Sequence, residues 1–189
     1  HVITLLEYAC WLLNRCRSQD SEAHLTRLRE LLDYHLLRWV PALSVSLTLH
    51  DAVEPSQDTS FYSRVGRLLI QRLCAVRQHL GLAVTVPDTG SNGVMQPLHV
   101  DLLTPKLSGL WFSRRVLAHL CRELGEVPRG EREAVCKQLL GSPKSRELFQ
   151  RELERATALY DELGAAHVEI EEACAQWMAR TAGMCARLS

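Results

Sequence analysis

Apolar residues recur at intervals of three and four along almost the whole chain. In the first sixteen residues, for example, one broad face carries leucines and an alanine, namely Leu5, Leu6, Ala9, Leu12 and Leu13. This is the period of an α-helix with one buried face, whereas a half-buried strand repeats at two. No segment predicts a convincing strand, apart from a short extended piece at residues 83–86. The sequence therefore predicts an all-α protein, a bundle of roughly eight helices without a significant sheet.

Capping and breaking residues predict where the helices of the first half begin and end. The first helix is expected over residues 2–16, and Ser21 is a suitable N-cap for the second. Pro41 is expected to end the second helix and to begin a third that reaches His50, because proline disfavours helical geometry in the residue before it. A long fourth helix is predicted over residues 59–80.

The second half contains similar signals. Ser113 is expected to cap a helix that stops at Gly125, and Pro128 to begin another. The Ser142-Pro143 pair predicts the start of a long helix, and residues 168–188 predict the last one.

Residues 83–108 lack any helical period and contain several prolines and glycines close together. These residues are Pro87, Gly90, Gly93, Pro97 and Pro105. Such clustering is typical of a linker or long loop. The expected organisation is a helical region at 1–82, a linker at 83–108 and a helical extension at 109–189.

Charge and hydropathy exclude several classes of partner. The 189 residues carry 22 basic and 22 acidic side chains, so no bulk charge favours nucleic acid or an anionic membrane. Apolar residues make up 47% of the chain, but no uninterrupted run approaches the roughly 20 that a spanning helix needs. We therefore expect a soluble protein without stable membrane insertion.

The chain starts at His1 without an initiator methionine, and no charged segment followed by an apolar one marks an export signal. This start suggests a fragment of a longer protein. Its seven cysteines include no C-x-x-C pair and no zinc-ligand spacing with histidine, so neither a metal nor a cofactor is predicted. Scattered thiols in odd number are typical of a reducing compartment, and the cytoplasm is the expected location.

Two aromatic segments stand about twenty residues apart. The first runs from Asp33 to Pro41 and the second from Ser60 to Leu69. Because both are flanked by helix-breaking residues, Trp39, Phe61 and Tyr62 are expected to meet where helix ends converge. Nothing in these segments is typical of a catalytic centre. They predict a surface that holds another chain.

These residues resemble the TorD/DmsD/NarJ family of chaperones, whose members carry an acidic element ending in histidine, then His-Leu-x-x-Trp, then Phe-Tyr. His1 matches the end of the first element, His35-Leu36 with Trp39 matches the second, and Phe61-Tyr62 matches the third. The resemblance covers residues 1–82 and the C-terminal half of the family fold. The acidic residues of the first element would precede His1, and residues from about 101 onward look like an extension of some longer members.

The resemblance implies a cytoplasmic chaperone that binds an apo molybdopterin-dependent oxidoreductase, through its twin-arginine signal peptide or its N-terminus, until the enzyme matures. A receptor for such a peptide needs carboxylates beside an aromatic groove. Candidate carboxylates are Glu7, Asp33, Asp51, Glu54 and Asp58. Candidate peptide-binding residues are His1, Tyr8, Trp11, Tyr34, His35, Trp39, Phe61 and Tyr62. A monomer or a domain-swapped dimer is expected.

Other interpretations are open. The aromatic residues are suited to the core of a bundle, and His35 to capping backbone groups at a helix end. A helical interaction module without signal-peptide specificity would carry the same pattern. The segment from Ser113 to Leu140 is compatible with a helix-turn-helix DNA reader, although four glutamates alternate with its arginines.

An enzyme is the least supported class, because the chain has no nucleophile elbow, no H-E-x-x-H and no phosphate-binding loop. Residues 90–93 are rich in glycine but have no preceding strand, so they predict a turn. Cys16 lies between Arg15 and Arg17, which makes it the one thiol suited to a redox role.

Overall fold

The apolar periodicity folds into helices throughout the part of the chain that the structure, a computed structural model, describes: residues 2–16, 21–53, 59–81 and 96–189. The first half contains α1 (Val2–Arg15), α2 (Ser21–Glu30), α3 (Leu37–Val53) and α4 (Thr59–His79). The second half contains α5 (Leu98–Leu103), α6 (Pro105–Ser108), α7 (Arg114–Glu123), α8 (Arg132–Leu140), α9 (Pro143–Ala166) and α10 (Glu171–Leu188). A 3₁₀ turn, Val168–Ile170, precedes α10.

The prediction of an all-α bundle is confirmed, since the described residues contain helices and no strand. Capping residues predicted from the sequence act as expected at several helix ends. The Ser113 side chain accepts a hydrogen bond of 3.2 Å from the backbone N–H of Val116 and so caps α7. Gly125 follows α7 with a φ of 72°, a conformation in which glycine avoids the steric cost of a Cβ atom.

The predicted break at Pro41 is wrong. Helix is continuous from Ser21 to Val53, and Pro41 lies inside α3. A π-helical turn, Leu31–Leu36, joins α2 to α3 one turn before the proline. Such a turn shifts the hydrogen-bond register of a helix, and helices commonly change register near residues that cannot continue the regular ladder.

Two further boundaries differ from the prediction. The predicted linker contains α5 and α6 in its last part, because residues 98–108 bury Leu102 and Ser108 against the second half. Helix α8 begins at Arg132 rather than at Pro128. The predicted turns at residues 54–58 and 90–93, and the extended piece at 83–86, lie outside the described residues.

The core is shared by both halves. Helices α9 and α10 pack closely together, and both contact α3, which also contacts α4 and α7. Fully buried side chains include Leu12 and Leu32 from the first half, and Phe149 and Tyr160 from the second. Burying large apolar side chains of both halves in one continuous cluster stabilises them as one unit. None of the helices in the described ranges is long and apolar enough to cross a membrane.

Candidate functional site

An apolar groove of about 670 Å³ lies between the first and second halves of the chain. Its volume falls within the range of about 300–1,000 Å³ that is typical of binding sites. The lining residues are Trp39, Ala42, Leu43, Ser46, Leu47, His50, Tyr62, Pro105, Trp111, Ser113, Arg115 and Trp177.

One wall of the groove is a single stripe of α3. Its residues stand at positions 39, 42, 43, 46, 47 and 50, the three-and-four spacing that places side chains on one face of a helix. An adjacent face of α3 carries Val45 and Leu49, which are buried in the core. Because α3 is anchored in the core through that second face, the stripe that lines the groove is held in place.

The other wall is held by hydrogen bonds to α3. The backbone N–H of Trp111 donates to Ser46 Oγ at 3.0 Å, and the indole N–H of Trp177 donates to the carbonyl of Arg38 at 2.6 Å. These bonds satisfy polar groups that would otherwise be unpaired beside an apolar surface. They join the loop before α7 and the middle of α10 to the same helix, and so set the width of the groove.

Three of the four tryptophans of the chain line this groove. Trp111 is 57% exposed and Trp39 is partly buried, while Trp177 is 7% exposed and forms part of the floor. Arginine cations lie over two of the rings, Arg132 at 5.7 Å from the Trp111 ring centre and Arg180 at 4.3 Å from that of Trp177. These cation–π contacts restrict the rings and leave large apolar surfaces facing the groove.

The described residues that line the groove include no aspartate or glutamate, and the basic ones are His50 and Arg115. Two predicted carboxylates are engaged elsewhere. Asp33 Oδ1 accepts from Arg77 Nε at 2.8 Å, and Asp51 Oδ2 accepts from the backbone N–H of Ser63 at 2.8 Å and from its hydroxyl. The interior of the groove therefore suits apolar groups better than guanidinium groups.

Of the remaining predicted carboxylates, only Glu7 is described by the structure, and it does not line the groove. Glu7 is exposed on α1, whereas Glu54 and Asp58 lie outside the described residues.

The structure brings together only part of the predicted aromatic site. Trp39 and Tyr62 line the same groove, but no ring contact joins them, so the predicted meeting of Trp39, Phe61 and Tyr62 is reduced to a shared lining. Phe61 packs against Tyr62 with ring centres 5.4 Å apart, but it is 59% exposed and does not line the groove. Since Phe61 and Tyr62 are both more than half exposed, they are not core residues in this fold.

The other predicted binding residues lie apart from the groove. Tyr8 and Trp11 stack on each other on α1, with ring centres 5.8 Å apart, and Trp11 also meets His24 edge-on. Tyr34 and His35 are exposed on the π-helical turn. His1 lies outside the described residues.

The sequence interpretation missed Trp111 and Trp177, which complete the groove. Trp111 follows Gly109, whose φ of 77° allows the sharp turn between α6 and α7. The available signal in the sequence was a tryptophan two residues after a glycine that is suited to a turn. Trp177 offered no signal of its own, because a tryptophan among alanines on a helix is typical of a core residue.

Arginines of the predicted helix-turn-helix segment bind the protein itself. Arg132 donates to the carbonyls of Phe112 and Leu103, both at 2.7 Å, and Arg114 donates to the carbonyl of Gly130. These contacts order the turns around the groove. Two of the arginines on which the DNA-binding interpretation relied are therefore engaged within the protein and not directed at a phosphate backbone.

Outside the groove, the fold brings Cys74, His167 and Glu169 together. No cysteine and histidine stand at zinc-ligand spacing in the sequence, so this cluster forms only in the folded chain. Sequence spacing did not reveal the cluster, because Cys74 lies on α4 and the other two residues follow α9.

Comparison with protein-family models, curated proteins and solved structures finds no match. The resemblance to the TorD/DmsD/NarJ family accordingly rests on the residue elements alone and stays a prediction.

Proposed function

We propose that this protein is a cytoplasmic chaperone-type binding protein that holds an apolar segment of a client chain in the groove between its two halves. The client is an apo molybdopterin-dependent oxidoreductase, bound through its signal peptide or N-terminus before export or assembly. The observation that carries this proposal is the groove itself, in which a partly buried, mainly apolar stripe of α3 faces two tryptophans of the second half.

The chemistry of the lining favours an apolar peptide over a small polar ligand. Leu43, Leu47 and the three tryptophans present aliphatic and aromatic surface, while Ser46 is already bonded to the backbone of Trp111. Burying apolar surface contributes about 25 cal/mol per Å², so a few leucine-sized side chains supply useful affinity. Apolar side chains repeated along one face of a peptide match a groove of this kind.

The charges of the groove lining also indicate which part of the signal peptide binds there. A twin-arginine signal peptide combines an arginine pair with an apolar run, and the lining described above suits the run. The described groove residues supply no carboxylate to pair with the two arginines, so we place the arginine pair outside the part of the groove that these residues line. We therefore propose that the groove reads the apolar run of the signal peptide.

A peptide titration tests this proposal. The full chain is titrated with three labelled peptides: a twin-arginine signal peptide, a version with alanines in place of the arginine pair, and a version with two leucines of its apolar run changed to aspartate. We expect saturable binding of the first, and a loss of at least about tenfold in affinity for the third, because charged groups would enter a dry apolar groove.

Matched tryptophan variants locate the bound peptide. Trp39→Ala and Trp111→Ala are expected to weaken binding by at least about tenfold, the loss of about 1.4 kcal/mol or more that a central aromatic contact supplies. Trp11→Ala is the control, because Trp11 is 44% exposed and lies on α1 away from the groove. Equal weakening by all three variants, or a loss explained by thermal destabilisation, would contradict the proposed site.

The arginine-pair peptide separates the proposal from its main alternative. A preference for the intact pair supports a chaperone for twin-arginine clients. Binding that depends on the apolar run and ignores the pair would instead favour a helical interaction module without signal-peptide specificity.

A further inference from the structure

A compact set of metal-binding side chains lies where α4 meets the connection between α9 and α10. Cys74 is on α4, His167 ends α9, and Glu169 is in the 3₁₀ turn that follows. The sulfur, one ring nitrogen and one carboxylate oxygen all lie within 4.8 Å of one another. Zinc bond lengths place two ligand atoms of a tetrahedral site roughly 3.3–3.6 Å apart, so approaches of about 1 Å bring the three into range.

Glu169 gives an independent indication of a missing ligand. Its side chain is buried, with the residue only 8% exposed, and its Oε2 atom has no hydrogen-bond partner. An unpaired carboxylate oxygen is costly to bury, because it loses water without gaining a donor. A cation bound between Glu169, Cys74 and His167 would satisfy that oxygen.

The local charges also suit a divalent ion. Arg77 lies near Cys74, but its charge is balanced by Asp33, whose Oδ1 accepts from Arg77 Nε at 2.8 Å. A thiolate at Cys74 and the carboxylate of Glu169 then supply two negative charges, which one divalent cation neutralises. In the metal-free protein, burial and the nearby Glu169 raise the pKa of Cys74 to about 12, so the thiol stays protonated.

A cavity adjoins the cluster at His167. It has a volume of about 270 Å³ and lies between α3, α4 and α9, where Thr48 and Gln71 also line it. A cavity of this size has room for water molecules and for the approach of an ion. A water in this cavity would serve as a further ligand, so the three side chains need not enclose the metal completely.

We propose that Cys74, His167 and Glu169 bind one Zn²⁺ ion, with a water from the adjoining cavity as the fourth ligand. Thiolate and imidazole ligands together favour zinc over magnesium or calcium, which prefer oxygen. As the zinc–sulfur bond forms, the Cys74 proton leaves to the buffer, and no electron is transferred. The bound ion would join α4 of the first half to the α9–α10 connection of the second half.

Cobalt titration of the full chain tests this site. After treatment with a chelator and its removal, Co²⁺ is added and the thiolate-to-cobalt charge-transfer absorption is followed; Zn²⁺ is then added to displace the cobalt. We expect saturation at one ion per chain, displacement by one equivalent of Zn²⁺, and a higher melting temperature with Zn²⁺ than without.

Variants assign the ligands. Cys74→Ser is expected to abolish the charge-transfer absorption, and Glu169→Gln and His167→Ala to weaken Zn²⁺ binding by at least about tenfold, since even residues outside the first ligand set change metal affinity by that factor. Cys121→Ser is the control, because Cys121 is equally buried on α7 and outside the cluster. His167→Ala serves as the variant that keeps the fold, because His167 is only half-buried.

Results of two kinds would overturn the proposal, one from the parent chain and one from its variants. One is the absence of charge-transfer absorption at millimolar Co²⁺ in a chain whose circular dichroism shows the folded state. The other is absorption that persists in Cys74→Ser or an affinity that His167→Ala leaves unchanged.

Discussion

The indole N–H of Trp177 donates a 2.6 Å hydrogen bond to the backbone carbonyl of Arg38, and it thereby joins α10 to α3 across the floor of the groove. Trp177 stacks on Tyr160 of α9, with ring centres 6.4 Å apart and planes 17° from parallel. The hydroxyl of Tyr160 donates to the carbonyl of Gly109 at 2.6 Å. This sequence of contacts holds α9, α10 and the turn after α6 against the first half.

Replacing Trp177 by phenylalanine removes the hydrogen bond and keeps an aromatic ring in place. We expect Trp177→Phe to lower the free energy of unfolding by about 0.5–1.5 kcal/mol, the net contribution of one buried hydrogen bond. Urea denaturation measures the difference. Trp111→Phe is the comparison, since the Trp111 side chain is largely exposed and its backbone N–H is unchanged. A change of the same size in both variants would count against this role of Trp177.

Two helical glycines differ in what surrounds them. A Cβ atom at Gly66 on α4 would lie 2.9 Å from Ser44 Oγ and 3.2 Å from Ser44 Cα, whereas one at Gly183 on α10 would meet nothing within 4 Å. We expect Gly66→Ala to destabilise by about 1–3 kcal/mol, because α3 and α4 must separate. Gly183→Ala is expected to stabilise by about 0.4–1 kcal/mol by limiting the unfolded chain. Thermal unfolding of both variants tests the contrast, and the same sign in both would refute it.

Stability is expected to fall in alkaline solution because of the buried thiols. Burial raises the pKa of Cys136 from 9.0 to about 12, so between these values only the unfolded chain ionises this thiol. The unfolded state then binds fewer protons than the folded state. The free energy of unfolding therefore falls as the pH rises from 9 to 12. Cys136→Ala should show a smaller loss of stability than the parent between pH 8 and about pH 10. Cys10→Ala, which removes an exposed thiol, should behave like the parent.

Removing residues 101–189 is expected to make the first half aggregate. The deletion would uncover Leu49 and Val45 of α3, together with the groove stripe of the same helix. A contiguous apolar surface of this extent promotes association. Size-exclusion chromatography of residues 1–100 measures the outcome. A monomer with native helical content would contradict the view that the two halves form one folding unit.

Helix identity was accessible from the sequence because it depends on local periodicity and on caps such as Ser113. Pro41 shows the limit of such local rules. A proline in the middle of a helical pattern ordinarily marks an end, yet here the π-helical turn before it and packing on both faces of α3 keep the helix continuous. Tertiary burial outweighed the local preference of Pro41. The residues next to Pro41 in the sequence do not reveal that packing.

The candidate site was predictable in part. Trp39 and Tyr62 do line one groove, but the expected reason, a convergence of helix ends, is wrong, because helix continues through Trp39 from Ser21 to Val53. The other wall of the groove comes from residues 105–177, so its position depends on how the second half packs, and distant pairings leave no trace in local spacing. The cluster of Cys74, His167 and Glu169 was not predictable for the same reason, because Cys74 lies far from the other two residues in the sequence.

By itself the sequence determined an all-α chain and the position of most helices, because periodicity and capping act over a few residues. Only the tertiary structure decided that the second half closes a groove against α3, and that a thiol, an imidazole and a carboxylate meet where α4 approaches the connection between α9 and α10. Those outcomes depend on the packing of side chains that lie far apart along the chain, where burial and shape rather than local spacing select the contacts.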